Sequence, residues 1–302
     1  MLLSVIVPCY NESETIEQFY DMVLNFFKDK KIKYELIMID DGSTDNTFEK
    51  IKELNEKDKN VKVISFSRNF GKESAMYAGL EHATGEYIAI IDADMQQTIE
   101  TLYMMYNKLL DNEEFDIVCA YREDRSDESS IKRTLTSLFY RVNNWISYVR
   151  LLPGASDFRI FKKEVKDALL SMRESNRFLK GMFSWVGFNT IYVPYTPLKR
   201  EHGTSKWSLF KLLKYSVNGI ISFSTKPLKF VFVSSVLVFV IGLLNFLLLG
   251  NLSFKTVILF LSLLMLNIGI ISLYLIRIYT NSLNRPAYIV KRKLGFDKKT
   301  TK

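Results

Sequence analysis

The chain has 302 residues, 48% hydrophobic and 25% charged, enough to bury one good-sized core with an appendage. Its formal charge is +8, yet no nucleic-acid-binding motif accompanies the basic residues, which flank apolar runs and so mark a membrane surface rather than a nucleic-acid footprint. Two histidines, His82 and His202, cannot build a histidine-rich zinc site; a Ser-His-Asp hydrolase is allowed by count but no Gly-x-Ser-x-Gly elbow is present; Cys9 and Cys119, each ending a strand-like run, are expected as reduced thiols.

Residues 1–8 lack a basic start and are too short for a signal peptide, so they read as a first strand. Through the first 120 residues, short apolar runs alternate with amphipathic stretches. Strands are predicted over residues 3–8, 34–39, 61–66, 87–91 and 116–119. Between the first two lies a helical pattern over 14–27, with Ile16, Phe19, Tyr20, Val23 and Phe27 on one face. Such alternation predicts an α/β fold, a mainly parallel sheet with helices on both sides. Ser43, Thr44 and Asp45 are N-cap candidates for a helix running to about Leu54.

From Arg122 to Arg150 the chain turns basic and aromatic, and residues 131–145 read as an amphipathic helix at the rim. A turn at Pro153-Gly154 leads into a short strand ending near Phe161. Helical runs extend to about Val186 and a strand covers 190–193. After the polar loop 199–206, residues 207–222 set Leu209, Leu212, Leu213, Val217, Ile220 and Ile221 against Lys211 and Lys214, as an interfacial helix would.

Residues 230–249 and 256–276 contain no Asp, Glu, Lys or Arg, and each is near the ~20 residues that cross a bilayer as a helix. Only residues 250–255 join them, so a tight hairpin is predicted, with Asn245 and Asn267 as a pair across it. Lys206, Lys211, Lys214, Lys226 and Lys229 precede the runs. Arg277, Arg285, Lys291, Arg292, Lys293, Lys298, Lys299 and Lys302 follow them, while the connecting loop holds one lysine. By the positive-inside rule both termini and the soluble domain face the cytoplasm. The expected organisation is a cytoplasmic domain over 1–206, a juxtamembrane amphipathic helix over 207–226, a transmembrane hairpin over 227–277 and a basic cytoplasmic tail over 278–302.

Three polar segments follow predicted strands: Pro8-Cys-Tyr-Asn-Glu12, Asp40-Asp-Gly-Ser-Thr-Asp-Asn-Thr47 and Asp92-Ala-Asp-Met-Gln96. Strand ends of open α/β sheets are where nucleotides bind, and hard oxygen ligands beside a diphosphate suit Mg²⁺ or Mn²⁺. In this order and spacing, over about residues 3–207, the segments resemble the family 2 inverting glycosyltransferases of GT-A fold. Within that family Arg68-Asn-Phe-Gly-Lys72, Gly154-Ala-Ser-Asp-Phe-Arg159 and Arg200-Glu-His-Gly-Thr-Ser-Lys206 resemble the polyprenyl-phosphate hexosyltransferases, the group of dolichyl-phosphate mannose synthase and the bacterial bactoprenol glucosyltransferases. The Gln-x-x-Arg-Trp motif of the processive synthases is absent.

The resemblance implies that Pro8, Tyr10, Glu12, Asp41 and Asp92 hold the nucleoside and that Asp94 and Gln96 bind the metal, Mg²⁺ or Mn²⁺. One departure bears on the loop path: members usually follow the metal motif with an acid or His and then prolines, where this chain has Gln97-Thr-Ile-Glu100. A lipid monophosphate, with a second pKa near ~6, is largely a dianion in the cytoplasm and needs cationic clamps more than a base. Arg122, Arg133 and Ser137 are the candidates for the lipid phosphate. Arg200 and Lys206 are those for the diphosphate or the incoming phosphate. Asp157 lies where related enzymes keep an active-site acid, to act as base, to orient a sugar hydroxyl, or to pair structurally with Arg159.

The expected activity is transfer of a hexose, with glucose from UDP-glucose as the lead, to undecaprenyl phosphate at the cytoplasmic face of a bacterial membrane. Further expected partners are the bilayer, a homo-oligomer and a flippase, and no nucleic acid. Two alternatives stay open: an enzyme that glycosylates a hydroxyl of a lipid or cell-wall precursor and needs a carboxylate base, and a non-catalytic scaffold of an export machine.

Overall fold

The computed structural model describes residues 1–123, 130–172, 174, 177–198, 209–249 and 254–296. In chain order the elements are β1 (Leu2–Cys9), α1 (Ile16–Lys30), β2 (Lys33–Asp40), α2 (Thr47–Lys57), β3 (Val61–Phe66), α3 (Lys72–His82), β4 (Tyr87–Ile90), α4 (Ile99–Asp111) and β5 (Ile117–Arg122). There follow α5 (Ser130–Ile146), β6 (Ala155–Lys162), α6 (Lys163–Ser171), α7 (Leu179–Trp185), β7 (Thr190–Tyr195), α8 (Leu209–Phe223), α9 (Lys226–Leu249), α10 (Phe254–Ser282) and β8 (Val290–Leu294).

The central strands are almost continuously apolar because both sheet faces are covered. Val5, Val7, Leu36 and Met38 enter the core on one face, against α1, α2 and α4. Ile6, Ile37 and Ile39 alternate onto the other, against α3, α6 and α7. The strand order is β7-β5-β6-β4-β1-β2-β3-β8. β4, β1, β2 and β3 run parallel, and β6 is antiparallel to both its neighbours. That reversal brings the start of β6 and the ends of β5 and β7 to the same edge as the ends of β1, β2 and β4.

Two local expectations are corrected. Asp45, one residue before the N-cap position Asn46, accepts from the Thr47 amide that opens α2 (3.0 Å), whereas Ser43 and Thr44 do not cap the helix. Their polar groups bind across to the β1–α1 loop instead, as described below. The segment after α10 is not wholly a free basic tail: Val290–Leu294 pairs antiparallel with β3. Its lysines and arginine lie on an exposed edge strand, where such charge also discourages further pairing.

α9 and α10 are long and apolar enough to cross a membrane, and only 11% and 6% of their most apolar windows is buried, which sets them apart from core helices. Their shared polar contact differs from the one expected. Asn267 accepts from Ser234 Oγ (3.1 Å) and donates to Ser235 Oγ (3.2 Å), a buried clasp in the hairpin. Antiparallel register places Asn245 about 16 Å nearer the turn, too far from Asn267 to pair. α8 forms where the interfacial helix was expected, with residues 207 and 208 outside the described set. Its end is docked on the soluble domain: Phe223 is buried against Phe178, and a Cβ on Gly181 would fall 2.4 Å from the Phe223 ring.

Candidate active site

The loops at the β1, β2 and β4 ends are stitched together before any ligand is considered. The Asn11 amide donates to Ser43 Oγ (3.0 Å), the Glu12 amide to Thr47 Oγ1 (2.8 Å), the Ser13 amide to Asp45 Oδ2 (3.2 Å) and the Thr44 amide to Asn11 Oδ1 (2.9 Å). Asn11 sits at φ +53°, a left-handed position that a short polar side chain tolerates. Pro8, Tyr10 and Glu12 are half-buried along this edge.

Asp41 follows β2 and is buried, 3% exposed. Its carboxylate accepts from the Phe70 amide (2.7 Å) and the Gly71 amide (2.9 Å), so it pins the loop that opens α3. Next to it Gly42 has φ +65°, and a Cβ there would lie 2.4 Å from the Arg68 backbone; only glycine allows the two loops to meet so closely. Burial pushes the Asp41 carboxyl up to about 6, against the pull of the two amides.

Beyond β4, Asp92 binds Lys72 Nζ at 2.7 Å, and the same ammonium lies 3.1 Å from Asp157 at the start of β6. Lys180 stands 4.0 Å from Asp157 on its other side. Burial raises the Asp92 carboxyl, and Lys72 only partly opposes this. For Asp157 burial also acts upward, but Lys72, then Lys180 and Arg159, outweigh it and hold the acid well below the usual carboxylate range. Lys72, which burial would lower, is held above the ordinary lysine value by Asp92 and Asp157. The pairing of Asp157 is thus with the two lysines; Arg159 turns back to the Ser156 carbonyl at 2.7 Å.

Lys72, Lys180 and Gln97 are site residues that motif reading did not select. Gln97 is buried: its Oε1 accepts from the Asp92 amide (3.0 Å) and its Nε2 donates to Asp92 Oδ2 (3.3 Å). The departure at Gln97-Thr-Ile-Glu100 therefore has a local solution, in which Gln97 holds Asp92 and Thr98 caps α4 by accepting from the Thr101 amide (3.2 Å). Asp94 Oδ1 accepts from the Gln96 amide (3.2 Å) across Met95, whose φ of +59° is strained for a non-glycine residue.

The Gln96 Nε2 donates to the Leu198 carbonyl (3.3 Å), and the Leu198 amide to the Gln96 carbonyl (3.1 Å). With its nitrogen so engaged, Gln96 keeps Oε1 as its remaining side-chain acceptor, while its backbone amide holds the Asp94 carboxylate. Among the described residues no three His, Cys, Asp or Glu side chains form a metal cluster. Asp94 and Gln96 accordingly fit a hard divalent ion that draws most of its oxygens from diphosphate and water.

Of the cationic candidates, Arg122 ends β5 at this edge, its amide donating to the Gly154 carbonyl at 3.0 Å. Arg133 and Ser137 lie one turn apart on α5, both exposed. Arg200 and Lys206 lie outside the described residues, with the rest of the 199–206 loop.

Comparison with known proteins identifies the family. The glycosyl transferase family 2 model matches residues 4–169. The chain is 38% identical over 306 residues to the prophage bactoprenol glucosyl transferase homolog of Escherichia coli (strain K12), covering 97% of this chain and 99% of that one. It is also 38% identical over 307 residues to the bactoprenol glucosyl transferase of Shigella phage SfV, with the same coverage. Among solved structures, glucosyl-3-phosphoglycerate synthase from Mycobacterium tuberculosis, in complex with Mn²⁺ and UDP-glucose, matches with a TM-score of 0.45 at 20% identity, covering 73% of this chain and 77% of that one. The chain belongs to glycosyl transferase family 2, a glycosyltransferase with a mostly parallel, GT-A-like α/β sheet.

Proposed function

We propose that this glycosyltransferase moves a hexose from a nucleotide sugar to the phosphate of a polyprenyl lipid, with UDP-glucose as donor and undecaprenyl phosphate as acceptor. A phosphate oxygen of the lipid attacks the anomeric carbon, the bond from that carbon to the diphosphate breaks, and the configuration inverts. The relatives named bactoprenol glucosyl transferase support both the sugar and the carrier.

The observation that carries the reading is α5. It connects the end of β5 at Arg122 to the start of β6 near Asp157, and its far end is fastened to the first apolar helix. The Tyr148 amide donates to the Phe223 carbonyl (2.8 Å), the Tyr148 hydroxyl meets Thr225, and Lys226 reaches the Trp145 carbonyl. Exposed Leu135, Leu138 and Trp145 fall on one stripe of α5, while exposed Arg133 and Ser137, one turn apart, fall on another face. A helix with an apolar stripe and a separate polar face that carries Arg133, tied to a span, suits a position at the headgroup level from which a lipid phosphate is handed to the carboxylate edge.

In this reading Pro8, Tyr10, Glu12 and Asp92 face the nucleoside, while Asp41 supports it chiefly through the Phe70–Gly71 backbone. Asp94 and Gln96 would hold Mg²⁺ or Mn²⁺, whose charge offsets that growing on the leaving diphosphate. Arg122, Arg133 and Ser137 clamp the lipid phosphate. Arg200 and Lys206 remain assigned to the phosphates from their motif. Asp157, paired with Lys72 and Lys180, is a poor proton acceptor, which favours an already ionised phosphate over a hydroxyl.

α9 and α10 cross the membrane and return, since β8 after them joins the same sheet as β1 before them. The basic residues on that side put the catalytic domain and both ends of the chain in the bacterial cytoplasm. Association into a homo-oligomer and supply of a flippase complete the proposal. Membranes containing the protein, given undecaprenyl phosphate and radiolabelled UDP-glucose, should form an acid-labile lipid-linked glucose seen by thin-layer chromatography. Label appearing only on a hydroxyl-bearing lipid, or none with any nucleotide sugar, would refute it.

A further inference from the structure

A cavity of about 460 Å³ lies where the end of α10 meets the soluble domain, with Tyr77, Glu81, Glu174, Arg177, Arg285 and Tyr288 in its wall. Arg177 stacks on Tyr77, its guanidinium carbon 3.3 Å from the ring centre. Its Nε and Nη1 atoms are buried and have no hydrogen-bond partner among the described residues. Leaving such donors unmet on a charged group is costly, so the position calls for an acceptor. The two acids of the wall are already engaged: Glu174 accepts from Arg277 at 3.3 Å, and Glu81 from the Tyr288 hydroxyl. Arg285 is exposed at the mouth and has no ion-pair partner among the described residues. With Glu174 neutralised by Arg277 from outside the wall, Arg177 and Arg285 face the one remaining acid, Glu81, and the surplus charge is positive.

We infer that this cavity binds a phosphate-bearing anion, whose oxygens satisfy Arg177 and whose charge meets Arg285. The site is separate from the strand-end carboxylates: it uses the later turns of α3, whereas Lys72 uses the first. Because the cavity adjoins the last turns of α10, the source is the headgroup of an anionic membrane lipid, a step that rests on the membrane reading above. A headgroup bound there would brace α3 against α10.

The test uses the full chain in detergent, with binding followed by thermal shift and native mass spectrometry. Probes are dihexanoyl phosphatidylglycerol, dihexanoyl phosphatidylcholine and inorganic phosphate. Phosphatidylglycerol should bind saturably and more tightly than phosphatidylcholine, and Arg285→Ala and Arg177→Gln should each weaken it about tenfold, as losing a charge-assisted hydrogen bond does. UDP binding, unchanged in both variants, verifies the fold. Phosphatidylglycerol binding that is absent, or undiminished in Arg285→Ala and Arg177→Gln alike, overturns the inference. Inorganic phosphate binding as tightly as the lipid, with the same sensitivity, upholds the anion site and overturns its lipid source. Flotation of the wild-type chain with neutral vesicles tests membrane association separately, so its failure counts against that reading and not against the site.

Discussion

Lys72, in the first turn of α3, reaches Asp157 at 3.1 Å, although the two come from different halves of the sheet. Asp92 shares the same ammonium at 2.7 Å. One cation therefore sits between two strand-end carboxylates and favours the charged form of each, outweighing burial at Asp157 but only partly offsetting it at Asp92. Lys72→Met should leave the two acids facing each other, drive one to take up a proton, and lower kcat/KM by ~10²-fold, a few kcal/mol of misplaced charge. Steady-state kinetics on a variant shown to be folded by circular dichroism would check this. Activity within threefold of wild type would remove Lys72 from the site.

Gln97 offers a sharper probe, because its amide both accepts from and donates to Asp92. Gln97→Glu keeps the shape and the bond from the Asp92 amide but sets a carboxylate against Asp92 Oδ2. Like charges at that distance raise one pKa, so the variant should lose roughly tenfold or more in kcat at neutral pH and recover part of it under mildly acidic conditions. A pH profile parallel to that of wild type would show that Gln97 does not orient Asp92.

The parallel sheet and the gathering of Asp41, Asp92, Asp94 and Gln96 at one edge were legible because apolar runs of strand length each end in a polar cluster. Asp157 was singled out by resemblance alone; the reversal of β6 that brings it to this edge is not visible in periodicity. Lys72 was hidden for a different reason. Arg68-Asn-Phe-Gly-Lys72 carried a resemblance without a role for its lysine, and only the long-range meeting of β4 and β6 gives that lysine two partners. β8 was missed because Val290-Lys-Arg-Lys-Leu294 carries the charge expected of a membrane-facing tail, and an edge strand tolerates that composition. In the hairpin, Ser234 and Ser235 were unremarkable among apolar neighbours until register set them opposite Asn267.

Asp41 predicts a pH effect on stability. Its carboxyl is pushed up to about 6 in the folded chain, against about 4 when unfolded. Between those values the folded chain holds a proton that the unfolded chain has released, so this contribution to stability falls as pH rises through the window and levels off above it. Asp41→Asn removes the titration. The thermal midpoint of wild type relative to the variant should therefore decline from about pH 4 to about pH 7; a constant difference would contradict the assignment.

Asp94→Asn should abolish metal-dependent turnover while leaving the chain folded, because it removes a charged ligand and preserves the bond from the Gln96 amide. A loss of order ~10²-fold or more corresponds to several kcal/mol of charge stabilisation. Mg²⁺ and Mn²⁺ titrations of both proteins make the comparison. Near-wild-type activity with an unchanged metal requirement would mean that the ion, if any, is held elsewhere.

The contrast between Arg133 and Asp157 separates the two kinds of acceptor. Arg133 is exposed on α5, whereas Asp157 is held by Lys72 and Lys180. If a lipid phosphate is the nucleophile, Arg133→Ala should raise the apparent KM for polyprenyl phosphate with little change in nucleotide binding, since a phosphate clamp acts on acceptor capture. Asp157→Asn removes one partner of Lys72 and should cost some rate, but the acidic limb of kcat/KM should remain where the acceptor ionises, near ~6. If a hydroxyl is the nucleophile instead, Asp157 is the general base, and its loss should erase that limb together with most of kcat. The ion pairs favour the first outcome, because an acid held well below the usual carboxylate range takes up a proton poorly at neutral pH. Measuring kcat/KM against pH for both variants, with polyprenyl phosphate as acceptor, decides the matter: collapse of kcat in Asp157→Asn beside an unimpaired Arg133→Ala would transfer the chemistry to a hydroxyl acceptor.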